Sequence, residues 1–258
     1  MDDSFPVLTA GIVVPLCAGA AWVFYRYRNQ RRCKWTIDEK TQQALRRYVL
    51  IESTHGKPDS VLQTFREYAI KNSMIKKMLF TPDQDIFLAD AVNQSSSLMV
   101  LVLGTQCGYS AIRVLSLLPP DGKVYAVEEE DSMAEAAEEM ILVSGYKNNQ
   151  FKLLCQHPVD AIHTLHSKFD LKKVDLVLMD FQSDGYLEGL KALTELGLLS
   201  PGSLILLNNM GPLVGKDFVG HLEKSVHYRV VNGCQSLLKV EYGQSSQKVL
   251  KVKTFRDE

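Results

Sequence analysis

The chain has no C-x-x-C pair, and its five cysteines, Cys17, Cys33, Cys107, Cys155 and Cys234, are odd in number and widely spread. That argues against a disulfide framework and a structural zinc site, and suits a reducing compartment. Histidine supplies no ligand cluster either: only His163 and His166 stand close, three apart on a predicted helix, where a solvated face accounts for them. No excess of one charge is present, with 29 Lys and Arg against 30 Asp and Glu. The basic residues are partly concentrated at the N-terminus, which leaves the body mildly acidic and excludes nucleic acid as the expected partner. Neither a G-x-G-x-x-G fingerprint nor a Tyr-x-x-x-Lys pair occurs, which removes a nicotinamide-dependent oxidoreductase. Internal repeats and low-complexity linkers are also missing.

What is present is a globular composition, 46% hydrophobic and 23% charged, with one long apolar run. From Ser4 to Tyr25 no side chain is charged at neutral pH, and FPVLTAGIVVPLCAGAAWVFY is long enough to cross a hydrocarbon core of about 30 Å as a helix. Pro15 is tolerable there, and Trp22, Tyr25 and Tyr27 stand where an aromatic belt would lie. Arg26, Arg28, Arg31 and Arg32 follow, with Asp2 and Asp3 on the other side. The positive-inside rule then predicts a single-pass membrane protein with its C-terminal body in the cytosol. A cleaved signal peptide would carry its basic residues before the apolar run, whereas here they come after it. Residues 1–35 are therefore read as the anchor and 36–258 as the folded domain.

Residues 36–54 and 58–73 carry apolar side chains at helical spacing, separated by His55-Gly56-Lys57-Pro58. An alternation follows: LMVLVLG, KVYAVEE, FKLLCQ, VDLVLMD and SLILLNN read as strands, each but the last followed by an amphipathic helix. Apolar strands separated by helices predict a parallel α/β sheet covered on both faces. YRVVNG, SLLKVEYG and KVLKVKTF read as closing strands, with an antiparallel hairpin among them.

Ligands of open α/β sheets bind at the carboxyl ends of the strands. The first such end is the turn Gly104-Thr105-Gln106-Cys107-Gly108-Tyr109-Ser110, where two glycines let backbone approach a ligand closely. Glu128, twenty residues past Gly108 at the end of the second strand, is placed to accept from ribose hydroxyls, with Glu129 beside it. An adenosyl ligand is one reading; a tight turn and a surface acid are the other. Asp180 ends the fourth strand and Asn208-Asn209 the fifth, and three oxygen ligands there can hold a hard cation such as Mg2+. Equally, Asp180 can cap the next helix and the Asn pair can serve a turn.

The string Leu103-Gly104-Thr105-Gln106-Cys107-Gly108-Tyr109-Ser110-Ala111, with Val127-Glu128, Leu178-Met179-Asp180 and Leu207-Asn208-Asn209 behind it, resembles the catechol O-methyltransferase family, including its transmembrane O-methyltransferase relatives. The resemblance runs from about Gln43 to the C-terminus. It implies an α/β fold, a seven-stranded Rossmann-like S-adenosylmethionine methyltransferase sheet, preceded here by one transmembrane helix. It also implies methyl transfer to a hydroxyl of a small catechol-like acceptor held on Mg2+. By position, Gly104, Gln106, Ser110, Glu128, Glu129 and Asp180 match cofactor-binding residues. Asp180, Asn208 and Asn209 match the metal set, and Glu241 the acid that holds the second catechol hydroxyl.

The departures from that pattern cluster on the substrate and metal side. Asn208 stands where the family has its second metal aspartate, and Ser183 where it has the catalytic lysine. Val102 replaces an acid, Pro158 a serine, Phe181-Gln182 a His-Trp pair, and Asp85-Ile86 a Lys-Gly in the loop before the first strand. Loss of one carboxylate predicts weakened Mg2+ binding, and a serine of ordinary acidity cannot act as that lysine's general base. The alternative reading is a catalytically inactive relative acting through a protein partner.

Overall fold

The computed structural model describes residues 37–181, 183–210 and 212–243. The predicted span at residues 4–25 and the predicted strand KVLKVKTF lie outside these residues. Among the described residues no helix is long and apolar enough to cross a membrane.

Four helices precede the sheet: α1 (Glu39–Glu52), α2 (Pro58–Ile70), α3 (Ser73–Met78) and α4 (Pro82–Ser95). Each start is written locally. The Asp38 carboxylate accepts the Thr41 N–H at 2.9 Å at the head of α1, Pro58 opens α2, and the Asn72 side chain caps α3. At α4 a reciprocal capping box joins Thr81 and Gln84, and Pro82 occupies the first turn. The expectation of a loop at Asp85-Ile86 is corrected here: both residues lie inside α4. Asp85 bonds Arg113 at 2.5 Å and Arg66 at 3.4 Å, which ties α4 to α2 and to the helix after the first strand.

The alternating elements follow as predicted: β1 (Met99–Leu103), α5 (Tyr109–Leu117), β2 (Lys123–Glu128), α6 (Asp131–Val143), β3 (Phe151–Cys155), α7 (Pro158–Lys168), β4 (Val174–Met179), α8 (Tyr186–Glu195) and β5 (Leu199–Leu207). Then come α9 (Pro212–Glu223), β6 (Tyr228–Cys234) and β7 (Leu237–Tyr242). The sheet has seven strands in the order β3-β2-β1-β4-β5-β7-β6. β1 to β5 pair in parallel, while β7 runs antiparallel to both β5 and β6, so the expected closing hairpin is β6–β7. The strand order reverses between β1 and β4, which opens a crevice at their carboxyl ends.

Period two assigns each strand residue to one of two cores. Val100, Val102, Leu176, Leu178, Leu204 and Leu206 face the side covered by α1 to α6. Leu101, Leu103, Val177, Met179, Ile205 and Leu207 face α7 to α9. All twelve are buried, which is why these strands read as continuous apolar runs in the sequence.

Candidate active site

The ends of β1 and β4 approach each other closely because Gly104 has no side chain. Its φ is +88°, and a Cβ there would lie 2.3 Å from the Asp180 carbonyl oxygen. The Gly104 N–H donates to Val127 O at 2.8 Å and the Asp180 N–H to Leu103 O at 2.7 Å, so three strand ends are locked together. Gln106, Cys107 and Gly108 continue in the left-handed region at φ 51°, 57° and 90°. At Gly108 a Cβ would lie 3.0 Å from Ala137 O in α6. Both glycines are thus demanded by neighbouring chain, and the tight turn they form delivers Tyr109 and Ser110 into α5.

Glu128 ends β2 with its carboxylate held over this turn. One oxygen accepts the Thr105 N–H at 3.1 Å and the Thr105 hydroxyl at 3.0 Å; the other accepts the Glu129 N–H at 3.1 Å. Burial raises the pKa of Glu128 above the usual carboxylate value, and these bonds oppose it. A carboxylate has about four acceptor directions, and three are filled. One remains for a ligand hydroxyl. On the neighbouring strand end, Gln156 follows β3, donates its N–H to Glu128 O at 3.0 Å, and leaves its side-chain Oε1 buried with no partner.

Asp180 is the other centre, 1% exposed. Its Oδ2 accepts the Ser110 hydroxyl at 2.6 Å. Its Oδ1 accepts the side-chain amides of Asn208 at 2.9 Å and Asn209 at 3.1 Å. Burial pushes the carboxyl up to about 7 against those three donors, and the Glu128 carboxylate pushes the same way. Gln106 reaches across to donate its amide to the Asp180 backbone carbonyl at 2.8 Å.

The structure therefore brings together Gly104, Gln106, Ser110, Glu128, Asp180, Asn208 and Asn209. Glu129 supplies only its backbone N–H to the site, and its side chain is exposed. Ser110 is completely buried with its hydroxyl committed to Asp180. Glu241 is not brought in: it pairs with Leu204, three residues before the end of β5, and forms an ion pair with Arg229. Its expected place beside the acceptor is corrected accordingly, because β7 runs antiparallel and carries Glu241 away from the carboxyl edge. Ser183 opens the 3-10 turn Ser183–Gly185 between β4 and α8; its side chain is outside the described residues. Cys107 is buried, which raises its thiol well above the ordinary value and makes it inert.

The expected Mg2+ ligands are adjacent, but they do not fit a resident divalent ion. One carboxylate is present, both its oxygens carry hydrogen bonds, and the donors include the two amides expected as oxygen ligands. Among the described residues no group of three or more His, Cys, Asp or Glu could hold a metal.

Besides Gln156, three residues of the site carry no signal in the sequence that singles them out. Thr105 holds Glu128, and only its place inside the glycine turn marks it. The Tyr186 hydroxyl lies 2.7 Å from Asn208 O, 2.8 Å from Met179 O and 3.1 Å from Phe181 O, pinning the ends of β4 and β5. Ser236, in the β6–β7 turn, bonds the Asn208 side chain at 3.4 Å. No spacing rule connects a hairpin turn to a strand end 28 residues away.

Residues 52–224 match the O-methyltransferase family. The chain belongs to that family. Transmembrane O-methyltransferase of Homo sapiens is 29% identical over 163 residues, 63% of this chain and 55% of that protein. Catechol O-methyltransferase of Mus musculus is 28% identical over 220 residues, 80% of this chain and 82% of that protein. The chain thus spans little more than half the length of the transmembrane O-methyltransferases it matches. The S-adenosylhomocysteine-bound methyltransferase PaMTH1 of Podospora anserina superposes with a TM-score of 0.62 at 19% identity, covering 81% of this chain and 98% of that one. The O-methyltransferase TomG of Streptomyces achromogenes, in complex with S-adenosylmethionine, gives 0.59 at 17%, covering 81% and 100%. At such identities these two establish the methyltransferase fold, in agreement with the seven-stranded sheet. The resemblance to the catechol O-methyltransferase family is borne out.

Proposed function

We propose that this protein is a membrane-anchored, S-adenosylmethionine-dependent O-methyltransferase that methylates a hydroxyl of a small, catechol-like acceptor. The observation that carries the reading is Glu128: a half-buried carboxylate at the β2 end, held by Thr105 and left with one free acceptor direction, in a chain of the O-methyltransferase family. A ribose hydroxyl fits that direction, and the orphaned Oε1 of Gln156 on the next strand end suits a donor such as the amino group of an adenine. The cofactor supplies a methyl group on a cationic sulfur, and transfer forms an O–C bond as the S–C bond breaks.

The chain's own contribution is proximity. The β1 and β4 ends, locked by Gly104 and Asp180, hold a rigid floor on which donor and acceptor can be aligned. With Ser183 at the family's lysine position there is no amine there to take a proton, which favours an acceptor whose hydroxyl ionises near neutral pH. The apolar span and arginine cluster of residues 1–35 support membrane anchoring with the body in the cytosol.

A second reading is a catalytically inactive relative that binds a protein partner. Ser183 and the internally satisfied Asp180 favour it. Calorimetry of the full chain in detergent with S-adenosylmethionine, followed by transfer of a labelled methyl group to a panel of phenols and catechols, separates the two. Saturable binding with label transfer supports the enzyme, and binding without transfer to any acceptor supports the inactive relative. Absence of binding overturns the cofactor reading.

A further inference from the structure

The Asn208 amide stands at the end of a hydrogen-bond relay that begins at an unambiguous donor. The Thr81 backbone N–H donates to Gln84 Oε1 at 2.9 Å, which turns the Gln84 amide nitrogen outward. That nitrogen donates to Ser236 Oγ at 3.0 Å, leaving the Ser236 hydroxyl proton free to point to Asn208 Oδ1 at 3.4 Å. Asn208 in turn presents its N–H to Asp180 Oδ1, the 2.9 Å bond described above. Thr81 fixes Gln84 because an amide has one accepting and one donating end, the Ser236 hydroxyl gives its single proton to Asn208 Oδ1, and the acceptor-only Asp180 carboxylate takes the Asn208 N–H, so every group is satisfied in one consistent direction. Gln84 and Asn208 are buried, and Ser236 is partly so, so water does not readily compete for these bonds.

We infer that this relay replaces a divalent cation: the Asp180 carboxylate is stabilised by N–H and O–H donors from Asn208, Asn209 and Ser110, and the site operates without Mg2+. A metal at Asp180 would need the Asn208 oxygen, which faces Ser236, and would have to displace two of the three donors while gaining only one negative charge. Magnesium loses its water reluctantly, so such a site offers it little. The consequence concerns specificity. Without a cation there is no chelation of two vicinal oxygens, so among catechol-like acceptors one hydroxyl and its ring suffice for selection, and the second hydroxyl is not required. This last step rests on the methyltransferase reading; the metal-free cluster does not.

The test uses Mn2+ as a paramagnetic probe on the full chain in detergent, with calorimetry of S-adenosylmethionine in Mg2+ and in EDTA run beside it. Bound Mn2+ should be the same, within twofold in affinity, for the parent and for Asp180→Asn. Cofactor affinity, where it exists, should change less than twofold on adding EDTA. Asn208→Asp should create a site, binding Mn2+ at least tenfold more tightly than the parent, and its melting temperature should fall without Mg2+ and recover with it. Loss of a Mn2+ site on Asp180→Asn, or a fivefold or larger loss of cofactor affinity in EDTA, would overturn the inference. Should Asn208→Asp fail to fold, Ser236→Ala, which frees the Asn208 amide to turn, is the second variant: it should bind Mn2+ more tightly than the parent. No binding of S-adenosylmethionine would sink the cofactor reading while leaving the Mn2+ comparison intact.

Discussion

Gly104 and Asp180 touch backbone to backbone across the crevice: a methyl group on Gly104 would lie 2.3 Å from the Asp180 carbonyl oxygen. No rotamer relieves that contact, because both partners are main chain. Gly104→Ala must also adopt a φ of +88°, which alone costs on the order of 1–3 kcal/mol. The expected outcome is a protein destabilised by at least that amount in urea titrations, or one that does not accumulate folded. An unchanged midpoint would show that β1 and β4 can part without cost.

Glu128→Ala removes a charged acceptor from the proposed ribose site. Charge-assisted bonds of this type are worth about 1.5–3 kcal/mol each. S-adenosylmethionine affinity should therefore fall at least roughly tenfold by calorimetry, with the far-ultraviolet circular dichroism unchanged. Thr105→Val, which leaves the carboxylate but removes one of its two Thr105 bonds, should cost less.

Gln156 supplies a subtler check. Its Oε1 has no partner in the structure, so Gln156→Leu should leave stability unchanged or slightly improved while weakening cofactor binding several-fold. A stability loss of about 1 kcal/mol or more with no change in binding would mean that the oxygen is satisfied by water and plays no part in recognition.

Stability should depend on pH through Asp180, whose carboxyl is pushed from 3.8 to about 7, first by burial and then by the nearby Glu128 charge. A folded value above the unfolded one means that the folded protein binds the proton more tightly. The contribution is full below about pH 4 and is lost as pH rises through the interval to about 7. The melting temperature of the parent should fall between pH 5 and pH 8 more steeply than that of Asp180→Asn, which has no proton to lose. Parallel curves for the two proteins would refute the assignment.

The proposed topology is tested on sealed microsomes. With the arginine cluster holding the cytosolic end of the span, protease added outside should digest the body and spare only a short fragment near residues 1–35. Complete protection of the body would reverse the orientation.

The alternation of apolar strands with helices was legible in the sequence because buried parallel strands have no polar face to break the run. Gly104 and Glu128 were legible as well, since a strand end followed by a glycine turn, and an acid at the next strand end, are local patterns. Two hairpin strands were found but not their consequence. Glu241 lies in a strand whose direction is set by pairing with β5, and antiparallel pairing moved it from the crevice to an ion pair with Arg229. The helices α3, α4 and α9 were missed, α4 in part because its weakly amphipathic run gives little periodic signal. What only the tertiary structure decided is the use of Asp180, Asn208 and Asn209. Their types and order suit either a cation or a hydrogen-bonded cluster, and the choice depends on which way an amide faces. That orientation is shared between the Asp180 carboxylate, which only accepts, and the Ser236–Gln84 pair, which is remote in sequence and reaches Asn208 only when the β6–β7 turn packs against the cap of α4.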